Sequence, residues 1–348
     1  MVFGKKDHLV GLDIGSASLK VCEIAGTKKG RVLKKFGISP LPYGTIKEGN
    51  IVDHENIVKA IRELFKNSGI KEKNVALSIG GYSVIVKKIN VQTMPDDQLL
   101  ETIYFEAEQY IPFDINDVNI DFQILGESEV NPNQMSVLLV AAKKDIIAEY
   151  MDVVQRAGLI PVIIDVDAFA LQNTYEINYD IESENVALID IGASKTSLNI
   201  MKGNVSVFNR DVSLGCHQIN ERIISIKNCS YEESETLKLD EDAGLSMDER
   251  QDVISSIVSD WCIEIRRAID FFYSTYPDDH IGKIVLSGGG ANISDFRNLL
   301  AEETSAEVEI IDPFKKIDKG QFDSNYLQQI GPQASICTGL AIRRVDDK

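Results

Sequence analysis

The sequence predicts an α/β protein built as two related halves, the first of them carrying a separate α/β insert. Three observations predict it. The stretch LVGLDIGSASLKVCEIAG at 9–26 recurs as VALIDIGASKTSLNIMKG at 186–203. Asp13, Gly15 and Gly26 are matched by Asp190, Gly192 and Gly203 at a constant offset of 177 residues. Each stretch sets apolar runs on both sides of a glycine-containing turn, the pattern of a β-hairpin, and strand and helix signals alternate after it. Residues 83–158 break that grammar and form a compact unit of their own.

Taken in order, the first hairpin is followed by a strand over 32–42 and a turn at GTIKEG, 44–49. The spacing of Ile57, Ile61, Leu64 and Phe65 predicts an amphipathic helix over 54–67, stopped by Ser68–Gly69. NVALSI at 74–79 is a short buried strand before Gly80–Gly81. In the insert, 84–91 reads as a strand and a helix runs from Pro95–Asp96–Asp97 to Tyr110. Strands follow at 118–125 and 135–142, then a helix capped by Asp145 with a core face of Ile146, Tyr150, Val153 and Val154, stopped at Gly158.

The apolar run IPVIIDV, 160–166, is expected as a fully buried strand returning to the first half, and a helix starts at Asp167. After the second hairpin come a strand over 205–212, a charged helical stretch over 220–242, and an exposed connector at 244–249. A long helix over 252–276 buries Val258, Trp261, Ile265, Ile269 and Phe272 among others. KIVLSGGGAN, 283–292, is a strand running into three glycines, followed by a helix over 293–300. A small-residue helix at 335–344 closes the pattern.

The chain has 348 residues, enough for two domains, with 44% hydrophobic and 26% charged residues, an ordinary globular balance. A net charge of −18 argues against general affinity for nucleic acid or bare anionic lipid. Five scattered cysteines (Cys22, Cys216, Cys229, Cys262, Cys337) without a CxxC are expected as free thiols in a reducing compartment. The four histidines show no ligand spacing. No stretch approaches the ~20 apolar residues that cross a bilayer, so no direct membrane insertion is expected.

The turn of the first hairpin carries the chemistry. Gly15 permits close approach of the backbone to a ligand. The turn N–H groups and the hydroxyls of Ser16 and Ser18 can converge on an anion, and Lys20 adds a positive charge. Asp13 suits a hydrated Mg²⁺, which takes one or two carboxylates beside phosphate oxygens. D-x-G alone also occurs in plain hairpins; its repetition carries the reading. Gly288, Gly289 and Gly290 follow a buried strand and would let a flat base or ribose lie against the backbone.

Hairpin, strand–helix at Asp167, second hairpin and glycine turn occur in an order that resembles the actin, Hsp70 and sugar-kinase superfamily across the whole chain. D-x-G-S-x-x-x-K at 13–20 resembles its first phosphate loop, D-x-G-x-x-x-T at 190–196 the second, and S-G-G-G at 287–290 the adenosine loop. Glu235 and Lys238 in SETLK resemble its adenosine-contacting E-x-x-K. The insert is similar to that of the FtsA-like branch. FEAEQYIPF at 105–113 with DVNIDF at 117–122, EIRRAIDFF at 264–272 and GLDIGS at 11–16 resemble the signature of the PilM family of type IV pilus assembly proteins. At SLGCH, 213–217, the family carries two glycines and this chain has Cys216 in the second place.

The resemblance implies a two-domain actin-like (ribonuclease H-like) ATPase fold with an FtsA-type insert. Residues 1–82 and 159–180 form the first half, with a C-terminal helix at 335–348 returning to it, and 83–158 the insert. Residues 181–219 and 283–334 form the second half, and 220–282 its helical/β subdomain. The resemblance further implies ATP and Mg²⁺ as cofactors. Asp13 and Asp190 would hold Mg²⁺ through its waters. Gly15, Ser16, Ser18 and Lys20, with Gly192, Ser194, Lys195 and Thr196, would bind phosphates. Asp167 would orient an attacking water, where relatives use Glu or Gln; Asp is one methylene shorter, which implies slow turnover. Implied partners are the cytoplasmic N-terminal peptide of the inner-membrane protein PilN and other pilus components, with recruitment of a cytoplasmic protein to the inner membrane. Tyr110, Ile111 and Phe113 are expected to line the peptide groove, with Glu106, Glu108 and Asp114 attracting a positively charged peptide; packing of 110–113 inside the insert is the alternative. An FtsA-like cytoskeletal ATPase or a small-molecule kinase using Asp167 as base are the alternatives.

Overall fold

The computed structural model describes residues 8–128, 131–180, 184–239 and 244–345. In the first half, β1 (Val10–Ile14), β2 (Ser18–Thr27) and β3 (Gly30–Pro40) form an antiparallel meander, and every residue of β1 is buried. The expected turn at 44–49 belongs to a small hairpin of β4 (Ile46–Lys47) and β5 (Asn50–Ile51), which turns at Glu48–Gly49. Helix α1 (His54–Ser68) is capped by the Asp53 carboxylate, which accepts from the Asn56 N–H, and it ends at Gly69 in the left-handed region (φ 65°). Strand β6 (Asn74–Ile79) then runs parallel to β1.

The insert is a three-stranded antiparallel sheet with one helix on it. It comprises β7 (Val84–Gln92), α2 (Asp96–Glu108), β8 (Val118–Glu127) and β9 (Gln134–Lys143), in the order β7-β9-β8. Leu99, Ile103 and Ala107 of α2 close a core over Ile89, Val137 and Leu139. The following helix, α3 (Lys144–Arg156), does not belong to it. Its apolar stripe, Ile146, Tyr150, Val153 and Val154, enters the core of the first half beside α1, so the insert ends at β9 rather than at 158. Asp145 is not the cap either: Lys143 holds that place without a side-chain bond, and the Asp145 carboxylate accepts from the next N–H inside the first turn.

Strand β10 (Ile160–Val166) pairs parallel to β6 and completes a sheet ordered β10-β6-β1-β2-β3. The expectation of a fully buried strand is corrected. As the sheet's edge it leaves Ile160 54% exposed, and its most buried residue is the charged Asp165, ion-paired to Arg343. Helix α4 (Asp167–Asn178) starts directly from it.

In the second half, β11 (Asn185–Ile191), β12 (Thr196–Lys202) and β13 (Val205–Val212) repeat the meander. Helices α5 (His217–Lys227), α6 (Tyr231–Leu239) and α7 (Met247–Thr275) follow. Strands β14 (Ile281–Ser287) and β15 (Glu307–Ile310) run parallel to β11, with α8 (Phe296–Thr304) between them. The order β13-β12-β11-β14-β15 matches β3-β2-β1-β6-β10 strand for strand, the topological form of the repeat seen in the sequence. Residues 240–243 of the charged stretch, like 1–7 and 346–348, lie outside the described residues.

Four further expectations change here. The 220–282 segment carries helices α5 to α7 joined by short connections, and its described residues hold no strand before β14; Trp261, Ile265 and Phe272 of α7 share one core with Ile189 and Ile200 of the sheet. The connector at 244–249 is the start of α7, closed by a reciprocal capping box between Ser246 and Glu249. Helix α8 begins at Phe296 rather than 293, after a single 3₁₀ turn at Gly289–Asn292. Last come α9 (Ser324–Ile330) and α10 (Ser335–Ala341), shorter than the 335–344 expected. Helix α10 packs across β1 and α4 of the first half.

Candidate nucleotide site

The matching sheets point their hairpin turns at one another across a cleft of about 670 Å³. The two turns are built alike. Gly15 N–H donates to the Ser18 carbonyl (3.2 Å), and Gly192 N–H to the Lys195 carbonyl (2.9 Å). They touch through the hydroxyls of Ser16 and Ser194, 2.7 Å apart. Of the residues expected at the site, Asp13, Gly15, Ser16, Ser18, Lys20, Asp167, Asp190, Gly192, Ser194, Lys195, Glu235, Lys238, Gly288 and Gly289 all line this cleft.

Two do not. Thr196 is buried beneath its turn, its hydroxyl donating to the Leu214 carbonyl (3.1 Å). Gly290 is buried because a Cβ there would lie 2.3 Å from the Ile191 side chain. Gly288 has φ +82° and would meet the Ile191 carbonyl oxygen at 2.3 Å. Packing against the second hairpin therefore fixes two of the three glycines, while a Cβ on Gly289 would make only ordinary contact with the Gln333 side chain, at 3.9 Å.

Charge dominates the floor of the cleft. Lys20 pairs with Asp13 (3.1 Å) within the first hairpin. Burial pushes the Asp13 carboxyl above its usual range, with Lys20 opposing. Burial works against the Lys20 ammonium, but the Asp13 carboxylate outweighs it and raises its pKa. Asp190 is pushed up to about 6, chiefly by burial and against the hydroxyl that Ser287 donates. Asp167 moves the other way: burial is outweighed by Lys195 (2.9 Å) and by the Ser78 hydroxyl, which donates at 2.7 Å. Its carboxylate is held below the usual range.

At the other end, Lys238 bridges Glu235 and the Asn220 side-chain Oδ1, and the Tyr231 hydroxyl donates to Glu235 (3.2 Å). Tyr231 stacks face to face on Tyr43 of the first half (3.9 Å, 10°), and His217 meets both rings edge-on. Cys216, at the departure from the two-glycine pattern, lines the cleft with its thiol pushed up to about 11 by burial. All five cysteines are free. Sequence reasoning missed Asp211, Ser78, Tyr43 and Tyr231, none of which stands in a recognisable pattern.

The cleft is lined by six carboxylates (Asp13, Glu48, Asp167, Asp190, Asp211, Glu235) and three ammonium groups (Lys20, Lys195, Lys238). Such an excess of negative charge admits a polyphosphate only with a multivalent cation beside it. Among the described residues no three His, Cys, Asp or Glu side chains converge to cage a metal directly. That donor set suits Mg²⁺ kept hydrated between Asp13 and Asp190.

The residues expected to line a peptide groove lie on the insert, away from the cleft. Ile111 is a core residue of the insert, 6% exposed, and is not an open anchor. Tyr110 and Phe113 are half-buried against the same core, with Lys87 over the Tyr110 ring (4.8 Å) and Lys143 over Phe113 (4.4 Å). The open apolar surface of this region is on α2, where Leu100, Tyr104 and Phe105 are 61, 48 and 74% exposed. The signal was present in the sequence: these three fall off the stripe that Leu99, Ile103 and Ala107 define.

Among the described residues no helix is long and apolar enough to cross a membrane. A family model described as type IV pilus assembly protein PilM matches residues 11–345. The cell division protein FtsA of Bacillus subtilis (strain 168) is 25% identical over 252 residues, which cover 66% of this chain and 57% of that protein. The match thus spans little more than half of that relative's length. Among solved structures, a PilM-PilN type IV pilus biogenesis complex superposes with a TM-score of 0.87 at 28% identity, over 98% of this chain and 99% of that one. The ethanolamine utilization protein EutJ from Carboxydothermus hydrogenoformans gives 0.59 at 15% identity, over 96% and 89%. MreB 5 of Spiroplasma citri, bound to AMPPNP, gives 0.53 at 13%, over 97% and 95%. The last two share the fold, which is the two-domain actin-like one.

Proposed function

The chain belongs to the PilM family of type IV pilus assembly proteins, and from that membership we propose that it is a nucleotide-binding scaffold of a pilus assembly machine that docks the N-terminal peptide of PilN. The observation that carries this reading is the likeness, over 98% of the chain, to a PilM-PilN complex. Recruitment to the inner membrane then runs through the protein partner. A net charge of −18 gives the chain no attraction of its own to anionic lipid.

ATP with Mg²⁺ is the proposed occupant of the cleft. The turn around Gly15, Ser16 and Ser18 with Lys20, and the turn around Gly192, Ser194 and Lys195, would receive the phosphates from opposite sides. Glu235, Lys238, Gly288 and Gly289 would receive the nucleoside, with Tyr43 and Tyr231 closing the mouth. Mg²⁺ between Asp13 and Asp190 would neutralise phosphate charge. Asp167, held ionised, would orient a water from one methylene further back than the Glu or Gln of relatives. The arrangement favours holding a nucleotide over turning it over.

Two measurements test the reading. Mg·ATP should raise the melting temperature and give heat on calorimetric titration. A synthetic peptide of the PilN cytoplasmic N-terminus, labelled for fluorescence anisotropy, should bind the full chain. Tyr110→Ala or Phe113→Ala should weaken that binding by ~1–2 kcal/mol while the protein stays folded. No peptide binding by the wild-type chain overturns the scaffold reading. Unchanged binding by both folded variants places the groove elsewhere, with the exposed face of α2 next to be tested.

A further inference from the structure

The repeat places one ammonium on each hairpin, but not at equivalent positions. Strand register pairs Asp13 with Lys20 and Asp190 with Ser197, so the second hairpin has serine where the first has its lysine. Its own cation, Lys195, stands at the position of Ser18. This displacement carries the ammonium out of its hairpin and across the cleft. Lys195 Nζ lies 2.9 Å from Asp167 of the first half and 3.7 Å from Asp211 of its own.

The pair is pressed against the end of β6, where a Cβ on Gly80 would come within 2.4 Å of both Lys195 Nζ and Asp167 Oδ2. Among the described residues, one of the three ammonium donors is hydrogen-bonded, to Asp167. Asp211 Oδ1 is buried with no hydrogen-bond partner among the described residues. One cation thus has two alternative carboxylates, one on each side of the cleft, beside the point where the two turns meet through Ser16 and Ser194.

We propose that Lys195 reads the terminal phosphate of a bound nucleotide, exchanging Asp167 for a phosphate oxygen while Asp211 keeps it in the second half. The inference rests on the nucleotide reading of the cleft and deepens it. A diphosphate lacks the group that competes with Asp167 and leaves the cross-cleft pair in place. A triphosphate draws the ammonium off, and Asp167 retains only the Ser78 hydroxyl. Because the broken pair joins the halves and the new contact lies within the cleft, the two nucleotides differ in the contacts they leave between the halves. That difference is what a nucleotide-dependent switch requires.

The test is calorimetric titration of the full chain with Mg·ADP and with the non-hydrolysable Mg·AMPPNP. Wild type should bind AMPPNP about tenfold more tightly than ADP. Lys195→Met should bring the two affinities to within about threefold, with the larger loss falling on AMPPNP. If Lys195→Met leaves too many buried carboxylates to fold, Lys195→Met with Asp167→Asn restores the balance and should show the same loss of preference. Equal affinity of wild type for both nucleotides, or a preference that survives in a folded Lys195→Met protein, overturns the inference and leaves the nucleotide reading standing. Failure of wild type to bind either nucleotide overturns the nucleotide reading itself, and this inference with it.

Discussion

Asp190 places a charge where the fold alone would not keep one, and Asp190→Asn measures the cost. Burial pushes its carboxyl up to about 6, against an ordinary value near ~3.9. The folded protein therefore holds this proton more tightly than the unfolded chain does. The sign follows: as pH rises from about 4 to about 6 the group loses its proton in the unfolded state first, and stability falls across that window. By pH 7 the loss amounts to ~3 kcal/mol, an upper bound because the side chain keeps some solvent exposure. Asparagine cannot ionise and still accepts from Ser287. Urea unfolding in chelator-containing buffer should find Asp190→Asn more stable than wild type at pH 7.5, with the gap closing towards pH 4. A variant less stable at pH 7.5, or a gap that does not change with pH, refutes the reasoning. The same substitution should abolish the melting shift caused by Mg·ATP, since the site trades stability for its ligand.

Other expectations follow from the same geometry. Lys20→Ala leaves Asp13 buried without its partner and should lower stability by ~3–5 kcal/mol; it should also shrink the Mg·ATP melting shift, and unchanged values for both would refute the role given to the pair. Phosphate release by the isolated chain should stay well below ~1 s⁻¹, with Asp167→Glu equal or faster, whereas rapid multiple turnover would sink that reading. A Cβ on Gly339 would lie 1.7 Å from the Ala170 carbonyl oxygen, so Gly339→Ala should cost ~3 kcal/mol, read as a drop in the urea midpoint.

The strand order of both halves was legible from a repeated hairpin because equal spacing from Asp to Gly fixes an equal turn, and equal turns seed equal meanders. Most helix positions followed from apolar spacing. What the spacing could not say was which core a stripe enters. Ile146, Tyr150 and Val153 form a good stripe, yet only the tertiary path sends α3 to the first half instead of the insert. Glycines carried a similar ambiguity: the sequence shows that a Cβ is excluded at 288 and 290, but the excluding group is Ile191, not a ligand. Ile111 read as a bulky turn residue and proved to be core, while Phe105, inside the same motif, faces outward. Asp211 is a single acidic residue near the end of a strand, and nothing short of the fold brings it to Lys195. The capping box at Ser246 and Glu249 was written in the chain and marks the true start of α7.

The packing of α10 sets a schedule for making the protein. Gly11 of β1 would place a Cβ 2.0 Å from the Cys337 carbonyl oxygen, and Leu9, Ala76, Leu171, Ile336 and Leu340 share one core. The central strand of the first sheet is thus covered by a segment synthesised only after the whole of the second half. At ribosomal speed the interval is roughly 15–60 s. During it, one face of β1 and β6 lacks its cover while the entire second half is translated. An N-terminal fragment ending after α4 would remain in that state permanently and should aggregate. The remedy lies in the same geometry: His8 forms an isolated antiparallel bridge with Arg344, and a circular permutant that joins the chain across this bridge and delivers α10 just ahead of β1 would let the first half close as soon as it is made.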